Sequence, residues 1–296
     1  MLSILIPVFN FDIQNLVAEL HEQCVRASID FEIYCLDDGS HAGFRRRNAG
    51  ISALSGVIYA EMPQNVGRSK IRNELARRAR FDYLIFMDCD ARVVSADYIQ
   101  NYLSALPDPR QTPKFVLCGG RTYSPVPPED PALRLHWKYG SRREQTTAAQ
   151  RRQHPHHAFM TNNFLIAKQV FADIQFDESL TRYGHEDTAF GLELRRLGIP
   201  VFHLDNPLEH IGLEPAPVFL EKSLKALDNL HLLARRDEWI DTRLLHWYRR
   251  FRAWHLAPFA GWLFGRLRPA IARQLCSSAP SLVLFDFFKL GYLCGK

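Results

Sequence analysis

The first 90 residues alternate short apolar runs with helical patterns, and few architectures accept that order. Leu2–Val8 is an apolar run, followed by helical spacing at Leu16, Val17, Leu20 and Cys24. Phe31–Leu36 and Val57–Ala60 are further runs, with a helical stretch near 44–54 between them. A basic helix over about 67–80 then precedes a fourth run at 82–87. Short runs bounded by polar turns and separated by helices predict an α/β fold with a mostly parallel, doubly wound sheet. Farther on, a helix from Glu186 to Leu197 should stop at Gly198, with a strand at Ile199–Leu204. The chain beyond Pro217 reads as helical throughout. The expected division is an α/β domain over residues 1–212 and a helical extension over 213–296. Ser124–Pro131 reads as a proline-stiffened loop, and Arg142–His157 as a mobile, basic one.

Three of the early strands end in abrupt polar clusters: Pro7-Val8-Phe9-Asn10, Asp37-Asp38-Gly39-Ser40 and Asp88-Cys89-Asp90. Ligands of open α/β sheets bind outside the carboxyl ends of the strands, so the three clusters should converge on one crevice. Singly, each is readable as turn formers or helix caps. Together they point to a site. Asp88 and Asp90 are two apart in extended backbone, so both carboxylates can face one ligand. Hard oxygen ligands with positions left for phosphate oxygens suit Mg²⁺ or Mn²⁺ better than zinc.

Asn65-Val66-Gly67-Arg68-Ser69-Lys70-Ile71-Arg72 places three cations at a helix start, where they oppose the helix dipole. Arg68 and Arg72 share a face, and a bound phosphate gives both a reason to be there. Gly184-His185-Glu186-Asp187 opens the later helix; its acids are either first-turn caps or include a general base. His210 is either structural or a third metal ligand.

Composition sets the compartment and the partners. Lys and Arg number 37 against 32 acids, a net charge of +5. The excess sits after Ile240, where nine Lys and Arg meet two Asp, a net of +7 against −2 for the remainder. No nucleic-acid motif accompanies it. Leu244, Trp247, Tyr248, Phe251 and Trp254 form an apolar stripe flanked by Arg243, Arg249, Arg250 and Arg252. Such a basic amphipathic helix either lies on an anionic membrane surface or packs on the rest of the protein. The six cysteines lack metal spacing and read as buried free thiols. No apolar run reaches the roughly 20 residues of a membrane span, and the start reads as a strand instead of a signal peptide. A cytoplasmic protein, peripheral on the membrane face where the stripe engages it, is the expectation.

In order, SILIPVFN, LDDGS, NVGRSKIRN, LIFMDCDA, FMTNNFLIAKQVF and FDESLTRYGHEDTAFGLELRRLGI resemble family 2 of the glycosyltransferases. The resemblance covers roughly residues 1–212 and implies the Rossmann-like GT-A fold. It implies a donor pocket of Pro7, Phe9, Asn10, Asp37, Asp38, Asn65, Gly67, Arg68, Arg72 and Asp88. Asp90 would hold Mn²⁺ or Mg²⁺, with Asp88 and His210 in the metal shell. Asp187 would be the catalytic base, with Glu186 supporting it or positioning the acceptor, and Asn162, Asn163, Gly184 and His185 would line the acceptor side. The activity implied is metal-dependent, inverting transfer of a hexose or N-acetylhexosamine from a nucleotide sugar, usually a UDP-sugar. The acceptor would be a saccharide or lipid-linked hydroxyl, in cell-surface polysaccharide or glycolipid synthesis. The missing Q-x-x-R-W motif argues against a processive synthase. A nucleotidyltransferase is the first rival, but Pro7–Asn10 is not its glycine-rich anion loop. A non-catalytic nucleotide-sugar-binding protein of the same fold is the second rival, opposed by the intact D-x-D and E-D pairs.

Overall fold

The computed structural model describes residues 1–179, 184, 186–236, 240 and 242–296. Its strands are β1 (Leu2–Val8), β2 (Phe31–Asp37), β3 (Val57–Glu61), β4 (Tyr83–Met87), β5 (Ala91–Val93), β6 (Val116–Cys118), β7 (Arg121–Thr122), β8 (Asn163–Ala167), β9 (Val201–His203) and β10 (Leu208–His210). The helices of the first half are α1 (Gln14–Arg26), α2 (Ala42–Asn48), α3 (Arg68–Arg78), α4 (Tyr98–Ser104), α5 (Arg134–Tyr139) and α6 (Ala148–Arg151). Those of the second are α7 (Lys168–Ile174), α8 (Glu186–Arg196), α9 (Ala216–Arg236), α10 (Arg243–Ala253), α11 (Ala257–Leu275) and α12 (Leu282–Cys294).

Seven strands form the main sheet in the order β3-β2-β1-β4-β8-β6-β9. Only β8 runs antiparallel to its neighbours. The two-residue period of a strand sorts its side chains onto two cores. Leu2, Ile4, Ile6 and Val8 of β1 pack toward Leu16, Val17, Leu20 and Cys24 of α1. Leu5 faces the other way, into the core that holds Ile71 and Leu75 of α3. On β4, Ile85 and Met87 join the first core, Leu84 and Phe86 the second. Phe86 and Phe164 stack across the β4–β8 pair at 4.9 Å. Because both faces are covered, the central strands are largely apolar, which is why the sequence marks them so plainly.

A small sheet, β5-β10-β7, stands apart from the large one. Its register places His210 opposite Ala91, and Ile211 N donates to Asp90 O at 2.9 Å. That pairing joins two segments far apart in the chain, Ala91 with His210 and Asp90 with Ile211.

The chain forms two compact units. The first holds the described residues of Met1–Thr122, Gln145–Thr181 and Glu186–Gly212. The second holds those of Tyr123–Glu144, Arg182–His185 and Leu213–Lys296. Its core joins Leu135 to Phe219 and Leu220 of α9 and to Phe285 and Phe288 of α12. In α10, Leu245 and Tyr248 are buried, whereas Trp247 is exposed. Among the described residues no helix is long and apolar enough to cross a membrane.

Two local expectations change. Residues 142–157 are not an open loop: Thr147 and Gln150 form a capping box for α6. Arg151 is buried, donating to Leu204 O at 2.6 Å and Gly119 O at 3.2 Å. Of the six free cysteines, Cys276 is exposed and Cys89 half-buried, the rest buried. Gly198 does end α8: it has φ +64°, and Ile199 N closes back on Leu194 O at 2.9 Å.

Candidate active site

The loops after β1 and β2 hold each other in place. Asn10 Oδ1 accepts from His41 N at 2.8 Å, and Asn10 N donates to Ser40 Oγ at 2.8 Å. Asp37, fully buried, accepts from Ser40 N at 2.7 Å and from Tyr59 Oη at 2.9 Å. Asp38 takes Val66 N at 2.7 Å and Gly67 N at 3.2 Å, pinning the start of α3. Burial raises the Asp38 pKa, against the pull of those two N–H groups. Gly39, at φ +78°, lies so close to Asn65 that a Cβ there would sit 2.6 Å from its backbone nitrogen. Expected as donor ligands, Asn10, Asp37 and Asp38 thus have their side-chain oxygens engaged in framing the crevice. Pro7 is half-buried, whereas Phe9, 49% exposed, and Asn65 remain open at its surface.

The site's charge gathers around Asp88. Arg72, 2% exposed, donates through Nη2 to Asp88 Oδ1 at 2.6 Å. Arg68 Nη2 lies 4.0 Å, and Arg121 Nη2 3.7 Å, from Asp88 Oδ2. Three guanidinium groups therefore gather at Asp88, and Arg68 and Arg121 act on Asp90 as well, a cationic cluster suited to a diphosphate. Arg121, on β7, is a site residue that sequence reasoning missed. Its tripeptide Gly119-Gly120-Arg121 carries no motif, and only the small sheet brings it to Asp88.

Asp90 faces another way. His210 Nδ1 stands 3.4 Å from Asp90 Oδ1. Burial works to raise the Asp90 pKa, but the His210 imidazole with Arg121 and Arg68 outweighs it and holds the carboxyl well below its usual range. A Cβ on Gly212 would overlap this carboxylate, so the close approach requires glycine. Asp88, expected beside Asp90 as a metal ligand, is instead drawn to the arginines on α3 and β7. Among the described residues no three His, Cys, Asp or Glu side chains form a metal-holding group. Asp90 Oδ1 is nevertheless shielded from solvent without a hydrogen-bond partner. An unsatisfied carboxylate oxygen beside an imidazole fits a Mn²⁺ or Mg²⁺ that takes its other ligands from phosphate and water.

Four buried polar atoms without a partner belong to this one region: Ser69 Oγ, Arg72 Nε, Asp90 Oδ1 and Asn162 Oδ1. Asn162 is tied to the same place, since its carbonyl accepts from Asp88 N at 3.3 Å. Buried polar groups are normally paired, and a cluster of exceptions marks where a ligand's polar atoms belong. Asn163 differs from the expectation. Its Oδ1 accepts from Tyr98 and Tyr102, each at 2.7 Å, and its Nδ2 donates to Gly120 O and Asn206 O, each at 2.9 Å. All four bonds are spent inside the fold, which removes Asn163 from the acceptor side.

Glu186 is buried and Asp187 half-buried in the first turn of α8. Asp187 Oδ1 accepts from Thr188 N at 2.8 Å. Gly184 belongs to the second unit, with φ +97° and its carbonyl bonded to Asn229 Nδ2 at 3.0 Å. His185 lies outside the described residues.

A sheet of this topology, with cations and carboxylates at the ends of its strands, is that of the GT-A glycosyltransferases. The chain belongs to glycosyl transferase family 2, whose model matches residues 3–175, and it is a transferase enzyme. It is 25% identical over 97% of its length to the uncharacterized glycosyltransferase YfnE of Bacillus subtilis (strain 168), covering 82% of that protein. It is 26% identical over 67% of its length to chondroitin synthase of Escherichia coli, but spans only 32% of that protein. Mannosyl-3-phosphoglycerate synthase from Rubrobacter xylanophilus shares the fold at TM-score 0.53 and 17% identity, over 80% of this chain and 73% of that one. The mannosyltransferase PcManGT from Pyrobaculum calidifontis, solved with GDP-Man and Mn2+, does so at TM-score 0.52 and 13% identity, over 99% and 84%.

Proposed function

We propose that the protein transfers a hexose or N-acetylhexosamine from a UDP-sugar to a saccharide or lipid-linked hydroxyl, with inversion. The observation that carries this reading is the set of unpaired buried atoms at Ser69, Arg72, Asp90 and Asn162, beside the Arg68, Arg72 and Arg121 guanidinium groups gathered at Asp88. A nucleoside diphosphate sugar supplies what they lack. Its phosphate oxygens accept from Arg72 and Ser69, and a sugar hydroxyl donates to Asn162 Oδ1. Phe9, exposed at the end of β1, offers a ring face to the base. UDP is preferred because S. aureus TarS, a GT-A neighbour at TM-score 0.51 and 14% identity, was solved with UDP. The GDP-Man complex of PcManGT makes guanine the alternative.

Asp90 and His210 would hold Mn²⁺ or Mg²⁺, which supplies Lewis-acid stabilisation of charge on the leaving diphosphate. Arg68, Arg72 and Arg121 share that work as fixed cations. Asp187 removes the proton of the acceptor hydroxyl as its oxygen bonds to the anomeric carbon and the bond to phosphate breaks. Glu186, buried beside it, supports the acceptor. One displacement without an enzyme nucleophile inverts the anomeric centre. The setting is the cytoplasmic face of an anionic membrane carrying the acceptor, supported by the cationic tail and its exposed aromatics.

Asp187→Asn tests the chemistry. The variant should bind UDP-sugar as the wild type does, while donor turnover, followed as released UDP, falls at least about a thousandfold. Ordinary turnover would refute the assignment of the base.

A further inference from the structure

We infer that a cleft in the second unit, walled by α10 and α12, seats an acyl chain of an anionic phospholipid and holds its phosphate at Arg143 and Arg243. The inference rests on the membrane reading above and deepens it from adsorption to a defined lipid site.

The cleft has a volume of about 690 Å³, within the roughly 300–1,000 Å³ of small-molecule sites. Leu244, Trp247 and Phe287 are among the residues that make its lining largely apolar. Among the described residues, its charged side chains are Arg143, Arg243, Lys289 and one acid, Asp286. Asp286 is already shared, 2.9 Å from Arg143 Nη2 and 3.2 Å from Lys289 Nζ. Among the described lining residues two positive charges are left in excess around an apolar space, complementary to an amphiphile with an anionic head.

The neighbouring surface favours a membrane as the source of that amphiphile. Phe287 is 58% exposed at the cleft, and Phe259 and Trp262 of α11 are each 60% exposed. Arg250 lies over both Trp247 and Trp254, at 5.4 and 5.0 Å from the ring centres. Arg266 lies 5.9 Å from the ring of Trp262. Indole rings carrying guanidinium groups suit the headgroup level, where the ring meets acyl chain and the cation meets phosphate. The +7 charge of the chain after Ile240 draws the same surface to an anionic leaflet.

The test uses the full chain and dihexanoylphosphatidylglycerol below its micelle-forming concentration, followed by calorimetry. Saturable binding of one lipid per chain is expected, with weaker binding of the phosphatidylcholine analogue and none of glycerol 3-phosphate. Arg243→Glu should lower affinity for the anionic lipid about tenfold or more. Phe287→Asp, at an exposed position and checked for folding by circular dichroism, should abolish it. Binding that ignores both substitutions, or that glycerol 3-phosphate reproduces, overturns the lipid site. A dimer that Phe287→Asp dissolves would make a second copy the occupant and overturn it too. Co-sedimentation with phosphatidylglycerol vesicles separates the two levels. Vesicle binding without short-chain binding leaves the membrane reading standing and removes the cleft; loss of both removes both.

Discussion

Arg72 Nη2 meets Asp88 Oδ1 at 2.6 Å, tying α3 to the residue that follows β4. The contact resolves two oddities of the sequence at once. A cation in the first turns of a helix opposes the dipole, and an aspartate closing an apolar strand needs a partner. Each answers the other, and Arg68 and Arg121 bring further positive charge to the same carboxylate. The D-x-D segment thereby divides its labour: Asp88 organises the arginines, and Asp90 faces His210.

Arg72→Ala should destabilise the protein by about 3 kcal/mol, because it strips the closest partner from a largely buried carboxylate. Thermal or urea unfolding measures this. Arg72→Lys should recover part of the stability but not the donor affinity, since an ammonium cannot reproduce the guanidinium's several directed donors. Donor affinity equal to wild type in both variants would remove Arg72 from the pocket.

Arg121→Gln separates phosphate recognition from base recognition. Its guanidinium approaches Asp88 from β7, on the opposite side of the sequence from the predicted donor motif. The variant should weaken UDP binding about tenfold while leaving uridine binding unchanged. Calorimetry with the two ligands provides the comparison.

The metal assignment predicts a graded loss. Asp90→Asn should abolish Mn²⁺ binding measured by electron paramagnetic resonance in the presence of UDP, and His210→Gln should weaken it about tenfold. Asp88→Asn should affect Mn²⁺ less than Asp90→Asn does, because Asp88 faces arginines. Equal losses at Asp88 and Asp90 would contradict the division of roles.

Much of this architecture was legible because strands covered on both faces are largely apolar and sit between helices of clear period. Leu2–Val8, Phe31–Asp37 and α1 follow directly. Motif-bearing residues were also legible as a group, yet the D-x-D spacing could not say which carboxylate faces His210 and which faces arginine. That depends on Arg121 and His210, brought in by β7 and β10 across more than a hundred residues for His210. Nor could it show that Asn163, a plausible ligand by its place, spends every hydrogen bond inside the fold. Polar groups at strand ends look alike in sequence whether they bind substrate or neighbours. Tyr123–Glu144 carries no signal tying it to the C-terminal helices, because long-range packing of short apolar segments has no period.

Asn163 should accordingly be a stability residue. Asn163→Ala takes the shared acceptor from the Tyr98 and Tyr102 hydroxyls and the side-chain donor from Asn206 O and Gly120 O, at a position 1% exposed. A loss of about 3 kcal/mol or more is expected in urea unfolding. Asn162→Ala, which removes an already unpaired oxygen, should cost far less stability and should instead raise the KM for donor or acceptor.

His203 predicts how stability depends on pH. Its Nε2–H donates to Pro155 O at 2.9 Å, and its Nδ1 accepts from Arg151 Nε at 3.1 Å, an arrangement only the neutral ring satisfies. Burial, foremost, pushes its pKa from 6.5 down to about 4, with Arg151, Arg152 and His156 adding to the effect and the Pro155 carbonyl opposing it. The unfolded chain therefore binds a proton between these values that the folded chain refuses, so stability rises with pH across that window. Stability is fully present above about pH 6.5 and is lost as pH falls toward 4, by about 2 kcal/mol between pH 7 and pH 5 from this residue alone. Urea unfolding at the two pH values measures the change, and His203→Gln should remove that part of it. A slope unchanged in the variant would mean that His203 is already charged in the folded protein, and that Arg151 is held by its carbonyl partners alone.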